Sequence, residues 1–110
     1  MSDPETVVAI YRVRESELDA FMQLLTEHWP TLRRLELATD DPPTVYRGKE
    51  DDGGPIVFEI FTWKNGEAPG VAHHTPEVMR IWERMGAMTE ERGGRPQFEF
   101  PHVTQEALAF

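Results

Sequence analysis

Two stretches of this chain, Val7 to Val13 (VVAIYRV) and Ile56 to Trp63 (IVFEIFTW), are apolar on both of the faces that a strand presents. Side chains alternate across a strand. The first stretch therefore sends Val7, Ala9, Tyr11 and Val13 one way and Val8, Ile10 and Arg12 the other. The second sends Val57, Glu59, Phe61 and Trp63 to one face and Ile56, Phe58, Ile60 and Thr62 to the opposite one. A sheet built on such strands needs cover on both sides, because a large apolar side chain left in water forfeits roughly 1.5–3 kcal/mol.

The segments around them supply one layer of cover. Ser16 reads as a helix cap, followed by Glu17 and Asp19 where the helix dipole favours negative charge. Leu18, Phe21, Met22, Leu25, Trp29 and Leu32 then recur at helical spacing and predict an amphipathic helix. Pro30, which has no backbone N–H, predicts a kink or a new turn. Asp40-Asp41-Pro42-Pro43 is a loop signal, Thr44 to Lys49 reads as a strand exposed on one face, and Asp51-Asp52-Gly53-Gly54 reads as a hairpin turn. Asn65-Gly66 ends the strand that follows, and Ala68 to His74 predicts a short helical turn. Thr75 and Pro76 open a second main helix. Its buried stripe is Val78, Ile81, Trp82, Met85 and Met88, and Gly93-Gly94 is the expected stop. Gln97 to Val103 is the last strand, with Pro101 marking an edge or a bulge.

The order strand, helix, strand, strand, helix, strand predicts an α+β fold of the ferredoxin-like βαββαβ kind, a four-stranded antiparallel sheet with two helices on one face. Two helices cover only that face. The other predicts a partner, a second copy of the same sheet related by a two-fold axis. The chain has no internal repeat and reads as one domain over residues 1–110, with a core at about 6–103 and a tail at 104–110.

Composition removes several functional classes. A net charge of −9 opposes binding to phosphate backbones and to anionic membrane surfaces, so neither nucleic acid nor membrane is an expected partner. With no cysteine, disulfides, thiolate metal sites and cysteine nucleophiles are excluded, and a cytoplasmic location is the expectation. The acidic start lacks the pattern of a secretory signal, and no apolar stretch approaches the ~20 residues of a membrane span.

The strand ending Phe61-Thr62-Trp63-Lys64, then Ala72-His73-His74-Thr75-Pro76 and a helix with Ile81-Trp82, resembles the antibiotic biosynthesis monooxygenase-like family of the dimeric α/β barrel group. The resemblance runs from about Val7 to Val103. It implies face-to-face homodimers with a cavity between helices and sheet in each subunit. Family members oxidise aromatic polyketides without metal or flavin, cleave haem, or handle small quinone-like molecules; others have no established activity. The haem-cleaving pattern wants an Asn on the first strand, where this chain has Ala9 or Tyr11, and a His on the helix near Ile81-Trp82. For the oxygenase set, Trp63 and Arg80 are counterparts of the family's Trp and Arg, but the nearest Asn is Asn65 in a turn. The family's catalytic set therefore does not transfer as a unit.

Residue chemistry gives its own candidates. His73 and His74 precede a helix and titrate near neutrality, so either is a candidate general base toward a phenolic substrate. Tyr11, Tyr46, Trp63 and Trp82 are candidates to line an aromatic pocket, and Arg12, Arg47 and Arg80 to orient an anionic or enolate group, Arg80 being the one expected to touch substrate. His73, His74, His102 and Glu77 are metal-ligating types without metal-site spacing, so no metal is expected. Together these predict a monooxygenase-like enzyme acting on a small aromatic or quinone-like metabolite without metal, flavin or other cofactor. The alternative is a non-catalytic dimeric binding or interaction domain of the same fold.

Overall fold

The structure is a computed structural model and describes residues 2–110. Strand β1 (Glu5–Arg12) leads through a short 3-10 turn (Glu15–Glu17) into helix α1 (Leu18–Arg34). Strands β2 (Thr44–Lys49) and β3 (Pro55–Trp63) form the hairpin, followed by the short helix α2 (Ala68–Ala72) and helix α3 (Pro76–Ala87). Strands β4 (Phe98–Glu99) and β5 (His102–Val103) close the antiparallel sheet. Its order is β2-β3-β1-β4, with β5 also paired to β1. The two doubly apolar strands thus lie side by side at the centre, in register from Glu5 opposite Trp63 to Arg12 opposite Ile56.

The face read as Val7, Ala9, Tyr11 and Val13 with Val57, Glu59, Phe61 and Trp63 is fully buried beneath the helices. Its core has two halves. One gathers Val7, Phe61, Trp63, Leu32, Ala72 and Val78; the other gathers Tyr11, Val57, Phe21, Leu24, Leu25, Ile81 and Met85. Trp82 packs against both. On the opposite face Val8, Ile10, Phe58 and Ile60 are only half-buried.

Several local expectations are corrected. Ser16 lies inside the 3-10 turn, and neither it nor Glu17 makes a side-chain cap to α1. Helix α1 runs without interruption past Pro30, which stands on its exposed side. Its buried stripe is Phe21, Leu24, Leu25, His28 and Leu32, so Leu24 and His28 join the expected residues. The helix ends without glycine: Glu36 takes a φ of 61°, the Leu37 N–H donates to the Leu32 carbonyl (2.8 Å) and the Glu36 N–H to that of Arg33 (2.9 Å). Thr75 occupies the cap position of α3, but its hydroxyl donates backwards to the Val71 carbonyl (2.8 Å) and ties α3 to α2.

Helix α3 stops at Ala87, before Gly93-Gly94, because the chain there turns to meet the end of β1. The Arg14 N–H donates to the Met88 carbonyl (2.8 Å), the Glu90 N–H to that of Arg12 (2.9 Å), and Thr89 bridges to Val13. The expected strand Gln97 to Val103 is split at Phe100-Pro101, although the Pro101 carbonyl still accepts from the Val8 N–H (2.9 Å).

A charged network fastens this corner. Arg12, 2% exposed, reaches Glu50 (3.2 Å), Glu99 (2.8 Å) and the Pro96 carbonyl (2.7 Å). Arg92 joins Glu50 (3.0 Å) and Glu90 (2.9 Å) and donates to the Pro55 and Val13 carbonyls (both 2.9 Å). Burial opposes ionisation of Glu50, but the Arg12 charge and hydrogen bonds from Arg12, Arg95 and Arg92 outweigh it and hold the carboxyl below its ordinary value of 4.5. A depressed carboxyl contributes stability above its unfolded value and loses it as pH falls through the folded one. Glu50→Gln is therefore expected to cost about 1–2 kcal/mol at pH 7. The difference from wild type should shrink in urea titrations taken well below pH 4.5, where both proteins lack the charge.

Candidate active site

The buried face of the sheet carries one ionisable group between the two halves of its core. Glu59 is 0% exposed, and on β3 it stands between Val57 of one half and Phe61 of the other. Its β1 partner in register is the small Ala9, and Tyr11 reaches it diagonally. The Tyr11 hydroxyl donates to Glu59 Oε1 at 2.7 Å. From α1, His28 (2% exposed) places Nδ1 2.9 Å from Oε1 and 3.1 Å from Oε2. From α3, the Trp82 indole N–H donates to His28 Nε2 at 3.0 Å.

Donor and acceptor capacities fix the histidine tautomer in this hydrogen-bonded series. Indole N–H can only donate, so His28 Nε2 must carry a lone pair. Neutral imidazole then holds its hydrogen on Nδ1 and donates it to Glu59. The carboxylate accepts from His28 and Tyr11 together, which compensates its burial. Burial, then the Glu59 charge and the hydrogen bond to it, push the Tyr11 phenol well above its ordinary value of 10.0, so the donor stays protonated.

The chain borders a cavity of about 320 Å³ between the helices and the sheet, at the small end of ligand sites. Tyr11, Phe61, Trp63, Trp82, Phe98 and Phe100 supply aromatic wall. His28, His73 and His102 place imidazoles on it. His73 lies at the end of α2 with its ring centroid 4.9 Å from that of Trp82, and His102 Nδ1 contacts Glu5 at 2.8 Å.

The expected site residues thus divide. Tyr11, Trp63, Trp82 and His73 meet at the cavity. His74 is exposed outside it, Arg80 is exposed on α3 away from it, and Tyr46 is 60% exposed on β2, in register with Phe58 of the other sheet face. Arg12 is locked in the corner network, and Arg47 lies on exposed β2. Among the described residues no group of three or more His, Asp or Glu is placed to hold a metal ion. His28 and Glu59 are the residues that sequence reasoning passed over. Their signal was a polar residue at an otherwise apolar position: Glu59 between Val57 and Phe61, and His28 at helical spacing from Leu24, Leu25 and Leu32.

No family model matches the chain, and no curated protein matches it. Solved structures do match. A conserved protein from Methanosarcina mazei is 16% identical, with 96% of this chain and 95% of that one covered and a TM-score of 0.70. SnoaB, a cofactor-independent oxygenase from Streptomyces nogalater, is 15% identical over 97% of both chains, with a TM-score of 0.66. A candidate antibiotic biosynthesis monooxygenase from Bacteroides thetaiotaomicron is 15% identical, over 98% of this chain and 94% of that one, with a TM-score of 0.62. The chain has the ferredoxin-like α+β fold seen in antibiotic biosynthesis monooxygenase-like proteins, and at these identities the likeness carries the fold alone.

Glu59→Gln places an amide where two donors need an acceptor and is expected to cost about 1–3 kcal/mol in urea unfolding at pH 7. In a Tyr46→Phe background the alkaline absorbance change reports Tyr11 alone. Its phenolate should form only well above pH 10, with stability retained below pH 10 and lost as pH rises through the folded value.

Proposed function

We propose that the protein is a monooxygenase-like enzyme acting on a small aromatic or quinone-like metabolite, with dioxygen as the oxidant and without metal or flavin. The observation that carries this reading is the cavity itself, a mostly apolar space walled by aromatic rings with imidazoles on its surface. Rings on opposite walls suit a planar ligand, which gains by stacking as well as by burial. Trp63 and Tyr11 are the proposed substrate-holding residues, with Trp82 closing the helix side. His73, at the wall and open to solvent, is the proposed route by which protons leave. The likeness to SnoaB, named a cofactor-independent oxygenase, supports the reaction class.

The proposed working form is a homodimer joined through the half-buried face that carries Val8, Ile10, Phe58 and Ile60. Light scattering at micromolar concentration is expected to give about twice the 12.7 kDa of the chain, and a monomer there would remove this part of the proposal.

A second reading is a binding domain without turnover, favoured by the hydrogen bond that occupies His28 Nε2 in this structure. Thermal-shift screening against hydroquinones and polycyclic phenols, followed by product analysis under oxygen, separates the two. Stabilisation with oxygen-dependent product is expected. Stabilisation without product assigns the binding reading, and no stabilisation by any aromatic compound would sink both.

A further inference from the structure

We propose that His28, oriented by Glu59 and latched by the Trp82 indole, is the proton acceptor of this cavity, and that it selects planar aromatic ligands bearing an acidic hydroxyl, phenols or hydroquinones. The proposal rests on the aromatic-ligand reading above and adds the group that receives the substrate proton.

Charge comes first. Glu59 is a buried carboxylate whose two hydrogen-bond donors, Tyr11 and His28, are both neutral. No Lys or Arg among the described residues borders the cavity, so no cation there balances Glu59. A proton added to the pair on His28 Nε2 turns an isolated buried anion into an imidazolium–carboxylate pair, which a low-dielectric site favours. In this assignment the receiving atom is the nitrogen that faces Trp82.

Geometry comes second. His28 Nδ1 is held by both oxygens of Glu59, which fixes the ring, while its Nε2 is held only by the indole of a residue that itself borders the cavity. A ligand hydroxyl offered to Nε2 replaces one donor by another, so moving Trp82 leaves no buried nitrogen unpaired. In the step itself the ligand O–H bond breaks, the proton joins the Nε2 lone pair, and the bonding electrons stay on oxygen as phenolate. Nothing is oxidised or reduced. The released indole N–H is then free to donate to the phenolate oxygen. Ligands lacking the hydroxyl leave the latch closed and forgo this bond, so they are expected to bind more weakly.

The probes are 4-nitrophenol, whose phenolate absorbs distinctly, and its methyl ether 4-nitroanisole, which has no proton to give. At a pH where free 4-nitrophenol is mostly neutral, wild type is expected to bind it with the phenolate spectrum. His28→Gln and Glu59→Gln are expected to bind it as the neutral phenol and to lower the nitrophenol-to-nitroanisole affinity ratio by about tenfold or more. Binding of both probes by wild type with nitrophenol neutral throughout overturns the assignment and leaves the aromatic-ligand reading standing. Binding of neither probe, together with no response to larger phenols, overturns both. A ligand-free measurement guards against variants that fail to fold: imidazole nitrogen spectra of wild type should show His28 with its hydrogen on Nδ1, and hydrogen on Nε2 would refute the latch.

Discussion

One buried carboxylate constrains the rest of this molecule. An ionised Glu at 0% exposure costs several kcal/mol unless its acceptor sites are filled. Here the two donors arrive from different elements, Tyr11 from β1 and His28 from α1, and the histidine is fixed in turn by Trp82 of α3. A one-residue slip of β1 against β3 would turn Tyr11 to the other face and orphan Glu59. A rotation of α1 that withdrew His28 would do the same. The polar chain thus demands the same strand register and helix orientation that the apolar residues favour, and it does so where the two halves of the core meet.

Such a chain is not the most stable way to fill that space. Well-packed apolar side chains in place of a buried polar pair are often neutral or stabilising. The second charged network makes the contrast plain. Arg12, Glu50 and Arg92 tie the hairpin, the end of β1 and the segment after α3 into one corner, and the two arginines also donate to the backbone carbonyls of Pro96, Pro55 and Val13. That network has a structural task, because it joins three separate segments of the chain. The Glu59 chain ends instead on an imidazole nitrogen beside a cavity, with a single neutral donor over it.

Much of the fold was legible because it follows from periodicity. The alternation along the doubly apolar strands sorted which residues share a face, though not which face the helices cover, and the hairpin signal Asp51-Asp52-Gly53-Gly54 placed β2 against β3. The stripe of α3 named Trp82. What escaped has specific causes. A search for apolar spacing steps over His28, although Leu24, Leu25 and Leu32 place it on the buried side. The stop of α3 depends on contacts between Thr89 and Val13, more than seventy residues apart in the chain, which local signals such as Gly93-Gly94 do not register. Adjacent His73 and His74 were indistinguishable as sequence, and only the end of α2 decides that the first meets the cavity and the second does not.

The same residues explain why fold likeness stops short of chemistry here. At 15–16% identity the matching solved structures share the fold, and a fold can host unrelated sites. The haem-cleaving pattern within that resemblance wants an Asn on the first strand, where this chain has Ala9 or Tyr11. Those two positions are not blank. Ala9 is the small residue in register with Glu59, and Tyr11 gives that carboxylate one of its two hydrogen bonds. The place where the resemblance implies one polar group is thus built into a different one, whose other arm is a histidine on α1. In the proposed reading proton transfer runs through that arm, so the ligand is set by what the His28 nitrogen accepts.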